Sequence, residues 1–237
     1  ASADHAIALG RDFIRHNIAD VVIVGGTESP LVYGIVMAMQ SMQFLTQDAC
    51  RPFAAGRSGT VLAEAAGILV LEAEEHARNR GAEILAEVVG AAQTVGVPDL
   101  TTPDVESAAA AMSQALADAH LSPGSVDYLN AYGVGTDASD RSETIAIKTA
   151  FPQTHNGISI SSTKPIHGYA MGATGALEAI VCIKAMQDGF VPPTLGLDVP
   201  DPACDLDFTP KAGRERNVRY AMSLTMALDR KSTRLNS

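Results

Sequence analysis

The run VVIVGG, Val21 to Gly26, most narrows what the chain can fold into. It is β-branched, unbroken by polar residues and closed by glycines, the pattern of a strand buried on both faces. Just before it, residues 4–17 place Ala6, Ile7, Leu9, Phe13 and Ile14 at helical spacing. The same alternation recurs to the end of the chain. GILVLE, Gly67 to Glu72, reads as a second buried strand, and AEEHARNRGA as a charged helix stopped at Gly81. Residues 83–94 read as a long strand, 107–121 as an amphipathic helix, 126–133 as a strand running into a loop and 142–151 as a helix. Residues 157–164 then read as a strand, 173–189 as a long, nearly all-apolar helix that should be buried, and NVRYAMSLTMAL as a closing strand. The methionine-rich segment 33–45 reads as a core helix. Strands alternating with helices predict an α/β fold with mixed or parallel sheets covered by helices on both faces.

Composition removes several function classes. A net charge of -10 argues against nucleic acid and against an anionic membrane face. No stretch approaches the roughly 20 apolar residues of a membrane span. Cys50, Cys182 and Cys204 are scattered and odd in number, which fits a reduced, cytoplasmic setting. His5, His16, His76, His120, His155 and His167 share no ligand spacing with cysteines or carboxylates, so no metal is expected. The chain opens without a methionine or a cap, in a helix already under way. It closes on DRKSTRLNS, residues 229–237, a polar and aperiodic segment resembling translated adapter tails of assembled reads. The expectation is a fragment cut at both ends, with that tail set aside from the fold.

In α/β folds functional groups collect in loops at the carboxyl ends of strands. Two such loops stand out, NAYGVGTDASD at 130–140 and TKPIHGYAMGATG at 163–175. Each follows a strand, contains glycines and leads into a helix. Glycines let a backbone approach a ligand or adopt positive φ.

Together with RPF at 51–53, GILVLE, VDYLNAYG, SSTKPIHGY, PPTLGLD and CDLDF, in this order and spacing, these loops carry a resemblance. The chain is similar to the C-terminal two thirds of a β-ketoacyl synthase, from Ala1 to about Ser223. The resemblance implies a thiolase-like, layered αβαβα fold with an incomplete N-terminal half. Residues 1–82 would be the rest of the N-terminal half and 83–228 the C-terminal half. It implies decarboxylative Claisen condensation: a cysteine holds the acyl chain, and two histidines stabilise the enolate formed from a malonyl group on acyl carrier protein. No separate cofactor is implied, because substrates ride on the carrier's phosphopantetheine.

Carried over residue by residue, the family lysine matches Lys164 and the family glutamate Glu143. Both histidine positions are tyrosine, Tyr132 and Tyr169. Ala1 and Ser2 match the two residues after the nucleophile. His167, two residues before Tyr169, reads as a variable loop residue. Ala54, Ser58, the stretch AEAAG at 63–67, Leu224 and Met226 also depart from the family pattern. A phenol with a pKa near 10 is neutral and can donate one hydrogen bond, so the tyrosines either act as donors or fill the pocket.

With both histidines gone, the chain resembles the chain-length factor of type II polyketide systems. That reading expects a non-catalytic partner, in a homodimer or in a heterodimer with an active ketosynthase, with the helix at 173–189 and the segment at 33–45 lining an acyl tunnel. The alternatives are an active 3-oxoacyl-[acyl-carrier-protein] synthase with modified donors and a decayed fragment. Either protein would meet acyl carrier protein, which is acidic, so docking needs a local positive patch. Arg11, Arg15, Arg51 and Arg57 are the candidates.

Overall fold

Helix α1 (Ser2–Arg15) buries one stripe, Ala3, Ile7, Gly10 and Arg11, at the three- and four-residue spacing of one helical face. A computed structural model describes this chain over residues 1–96, 103–152 and 157–227, with the backbone of 231–236. The buried stripe of α1 lies on a two-stranded antiparallel ribbon, β1 (Val21–Glu28) with β2 (Ala65–Glu72). Register runs from Val21 opposite Glu72 to Glu28 opposite Ala65. Val22, Val24, Leu69 and Leu71 face inward and pack with Ile7. The other side is open, with Ile23 73% and Val70 59% exposed. These strands are therefore covered on one face only, contrary to the sequence reading.

Helix α2 (Tyr33–Ser41) also departs from expectation. Of its residues only Met39 is buried, and Tyr33 is 81% exposed. Helix α3 (Glu74–Asn79) ends before Gly81 as read. The long strand expected over 83–94 is shorter and later, β3 (Gly90–Val95), and residues 81–89 take no regular structure.

After α4 (Val105–Asp118) the chain alternates as expected through β4 (Tyr128–Asn130), α5 (Asp137–Ala150), β5 (Ser159–Ser161), the single turn α6 (Lys164–His167) and α7 (Thr174–Asp188). A short ribbon, β6 (Phe190–Val191) with β7 (Arg214–Glu215), precedes β8 (Ala221–Met226) and β9 (Lys231–Asn236). The main sheet has the order β3-β9-β8-β4-β5. β4 runs parallel to β5 and β8, and β9 is antiparallel to β3 and β8. Residues 231–236, set aside in the sequence reading, thus occupy a place in the sheet.

Strand alternation sorts β8 between two layers. Met222, Leu224 and Met226 join the larger core with Leu129, Met112 and Ile147 of α4 and α5. Ala221 faces the other way, against Cys182 and Ala185 of α7, and the Thr225 hydroxyl reaches Glu178 of the same helix. The layers run ribbon, α1 with α7, mixed sheet, then α4 with α5. Helix α7 is thereby enclosed, although its fully buried row is small and polar: Thr174, Gly175, Ala176, Glu178, Ala179, Cys182 and Ala185. Its bulkier Leu177, Ile180 and Ile183 are half-buried. Gly189 caps it in the left-handed conformation, φ 61°.

Candidate functional site

The loop after β4 and the loop after β5 meet at the carboxyl end of the sheet. Their first contact is between strands: the Ala131 amide donates to the Ser161 carbonyl at 2.9 Å. Asn130 then bridges, its Nδ2 donating to Tyr128 at 3.0 Å and Thr163 at 3.3 Å. Glu143, nearly two turns into α5 and fully buried, clamps the first loop. Its two oxygens accept the amides of Tyr132 at 2.7 Å and Gly133 at 2.8 Å. Burial pushes its carboxyl up to about 8, against the pull of those amides and of Lys164. Asp140 repeats the device, accepting from the amides of Gly135 and Phe53.

The clamp brings Tyr132 onto Tyr169. Both are buried, 2% and 4% exposed, and their rings meet edge to face with centroids 6.1 Å apart. Tyr169 is held by its own backbone, which exchanges bonds with Val61 and Ala63, and its ring packs on Phe44 at 5.9 Å. Burial and the hydrogen bond with Tyr169 drive the Tyr132 phenol far above its usual range. Tyr132 is therefore a neutral hydroxyl at any physiological pH and cannot serve as a base.

Lys164 enters from α6. Its Nζ stands 4.8 Å from the centre of the Tyr132 ring, a cation–π contact. Its ion-pair partner is Glu178 of α7 at 2.5 Å, both side chains fully enclosed. The resemblance puts Glu143 with Lys164 in organising the site. The structure instead assigns Glu143 to the loop backbone and pairs Glu178 with the lysine. Glu178 was missed, though it had a signal: it is the lone carboxylate in the otherwise apolar stretch ATGALEAIVCI.

His167 is occupied locally. Nδ1 donates to the Gly168 carbonyl at 2.7 Å, which leaves Nε2 to accept from the Thr163 hydroxyl at 2.9 Å. Burial and Lys164 push its pKa down to about 4, so the ring is neutral. His155 lies outside the described residues.

Gly133 makes the close approach of the loops possible. Its φ is +35°, and a Cβ there would fall 2.4 Å from the Ser162 Cβ. Gly133→Ala is expected to cost about 2–3 kcal/mol, read as a fall in the thermal midpoint. An unchanged midpoint would show that the loop can shift.

Two of the four docking arginines are not on the surface. Arg11 is buried against Asp118 at 2.6 Å, and Arg57 is buried among Asp137, Asp140 and Asp201. Arg15 and Arg51 are accessible but each faces a carboxylate, Asp118 and Asp48. A cavity of about 810 Å³ is bounded by Ile7, Ile14, the β2 edge, residues 82–88 and Cys182, and none of Tyr132, Tyr169, Lys164 or Glu143 lines it. Among the described residues, no three histidines, cysteines or carboxylates are grouped to hold a metal, and no helix is long and apolar enough to cross a membrane.

Residues 1–77 match the model of the β-ketoacyl synthase N-terminal domain, and 85–198 that of its C-terminal domain. Nodulation protein E of Rhizobium meliloti is 50% identical over 228 residues, covering 96% of this chain and 57% of that protein. The 3-oxoacyl-[acyl-carrier-protein] synthase 2 of Staphylococcus aureus (strain COL) is 38% identical over 230 residues, covering 94% and 56%. The chain thus spans a little over half the length of these relatives. The solved structure of the ishigamide ketosynthase/chain length factor superposes with a TM-score of 0.95 at 32% identity, over all of this chain and 58% of that one.

Proposed function

The chain belongs to the β-ketoacyl synthase family, and from that premise we propose that it is a non-catalytic, chain-length-factor-like subunit of fatty-acid or polyketide assembly. One observation carries this reading. Where the family resemblance expects two imidazoles, Tyr132 and Tyr169 are buried against each other and against Lys164. Two neutral phenols hydrogen-bonded to one another keep at most one O–H to turn on an enolate oxygen, where the family resemblance expects two imidazole donors. Losing a single oxyanion donor typically costs about 10²–10³ in rate, and here two are replaced. The chain's partners on this reading are an active ketosynthase and acyl carrier protein. The similar ishigamide ketosynthase/chain length factor, a ketosynthase named together with a chain length factor, supports the first. The name of the Staphylococcus relative supports the second.

The competing reading, a synthase with modified donors, draws on the intact Lys164–Glu178 pair and the Glu143-clamped loop. These hold the frame of a catalytic loop even where the donors have changed.

Release of carbon dioxide from malonyl-acyl carrier protein separates the two. The protein is expected to show no decarboxylation above background. Tyr132→His/Tyr169→His is expected to raise the rate by at least about 10²-fold. Decarboxylation by the unsubstituted protein, lost in Tyr132→Phe, would overturn the non-catalytic reading and make the phenol a donor. Co-purification with a ketosynthase of active sequence tests the pairing.

A further inference from the structure

Three ionisable side chains from three helices meet between the ribbon and the main sheet. Lys164 and Glu178 form the ion pair described above. The third is Asp4 of α1, fully buried, with no hydrogen-bond partner at either carboxylate oxygen. Its carboxylate rests on the backbone of Gly175, where an added methyl would fall 2.1 Å from Oδ2. Gly175 and Glu178 lie one turn apart on the same face of α7, so the two carboxyl groups are neighbours. Thr225 of β8 stands between them. Its hydroxyl donates to Glu178 Oε2 at 3.3 Å and also faces Asp4. The Cys182 thiol, one turn further along α7, also faces this cluster. The ring of Tyr132 covers the lysine.

Two ionised carboxylates against one lysine would leave an unpaired negative charge in a fully enclosed site, which burial strongly opposes. We propose that Asp4 and Glu178 hold one proton between them, so that the cluster contains a single ion pair and Asp4 acts as a positioning residue for Lys164. The second carboxyl is then neutral where a carboxylate would repel. Lys164 is held toward Glu178 rather than drawn between two anions. The direction of titration agrees: burial raises Asp4 to about 6 and Glu178 to about 7. For an acid raised in the folded state, the stabilisation is complete below its unfolded pKa and is lost as pH rises through the folded one. The window is therefore from about pH 4 to about pH 7. This inference rests on the cluster alone and holds whether the tyrosines act or fill.

Infrared difference spectroscopy at pH 7 tests it. Asp4→Asn and Glu178→Gln are each expected to abolish the same buried carboxylic C=O band, because either change leaves the remaining acid ionised against Lys164. A spectrum of the unsubstituted protein identical to that of Asp4→Asn would overturn the proposal, since both acids would then be ionised. So would a band lost in Asp4→Asn but kept in Glu178→Gln, since Asp4 would hold its proton alone. Unfolding by urea between pH 5 and 7 gives a second readout should Glu178→Gln fail to fold. The folding equilibrium constant of the unsubstituted protein should fall up to about tenfold per pH unit more steeply than that of Asp4→Asn. A loss of stability in Asp4→Asn that is equal at every pH would reduce Asp4 to a packing residue.

Discussion

Replacing Lys164 by methionine is expected to destabilise the protein by about 3–5 kcal/mol at pH 8. The side chain is fully enclosed and its only ion-pair partner among the described residues, Glu178, is enclosed with it. Methionine roughly keeps the volume of the stem, so the loss is electrostatic: a buried carboxylate is left without its cation. The sign with pH follows from Glu178. Burial, partly offset by Lys164, already raises its pKa to about 7. Without the lysine that pKa rises further, so below pH 7 the carboxyl takes a proton and the damage shrinks. Urea unfolding at pH 6 and pH 8 should therefore show the larger loss at the higher pH. Removing the second charge as well, in Lys164→Met/Glu178→Leu, should recover most of it, because a buried pair exchanged for apolar groups is often neutral. An equal loss at both pH values, not recovered in the double variant, would mean that the lysine acts through packing.

The second large effect is expected at Arg57, which the sequence reading assigned to a docking surface. Its guanidinium instead ties three segments together. Nη1 donates to Asp201 at 2.7 Å and to the Ala54 carbonyl at 3.0 Å; Nη2 donates to Asp137 at 3.0 Å; Nε lies 3.2 Å from Asp140. Asp140 is fully buried and also holds the amides of Phe53 and Gly135. Arg57→Leu should cost about 3–5 kcal/mol and loosen the loop that carries Tyr132. Burial raises the Asp140 pKa to about 6 even with the arginine beside it. The loss should again grow as pH rises, here above about 6. The arrangement demands a planar, multidentate donor, so Arg57→Lys should rescue only part of it. Full rescue by lysine would show that charge alone matters. Protection of the Gly135 amide from hydrogen exchange reports the loop directly and should fall in Arg57→Leu.

Much of the site could be read in advance because its residues are local. Lys164 and Tyr169 belong to one strand-to-helix connection, and Tyr132 lies in another, just before the helix that carries Glu143; short connections after strands in an α/β pattern point to one end of a sheet. What could not be read is which groups meet across layers. Lys164 to Glu178 crosses from α6 to α7, Asp4 reaches Gly175 from α1, and Arg57 reaches carboxylates 80 to 144 positions away. Those pairings depend on crossover connections, which no local periodicity encodes. The docking arginines failed for the same reason. Charge suggests a surface, and only the fold shows that Arg11 and Arg57 face carboxylates inside it.

By itself the sequence determined the α/β alternation, the positions of the two glycine-bearing loops and the presence of tyrosine where imidazole is expected, because each is a matter of period, turn chemistry or residue identity. The tertiary structure alone decided that β1 and β2 are covered on one face, that Glu143 serves a backbone while Glu178 serves the lysine, and that Asp4 lies beside that pair. Burial sets those outcomes. A carboxylate in water is free to choose its partner, and one enclosed between two helices and a sheet must take the donor that packing supplies.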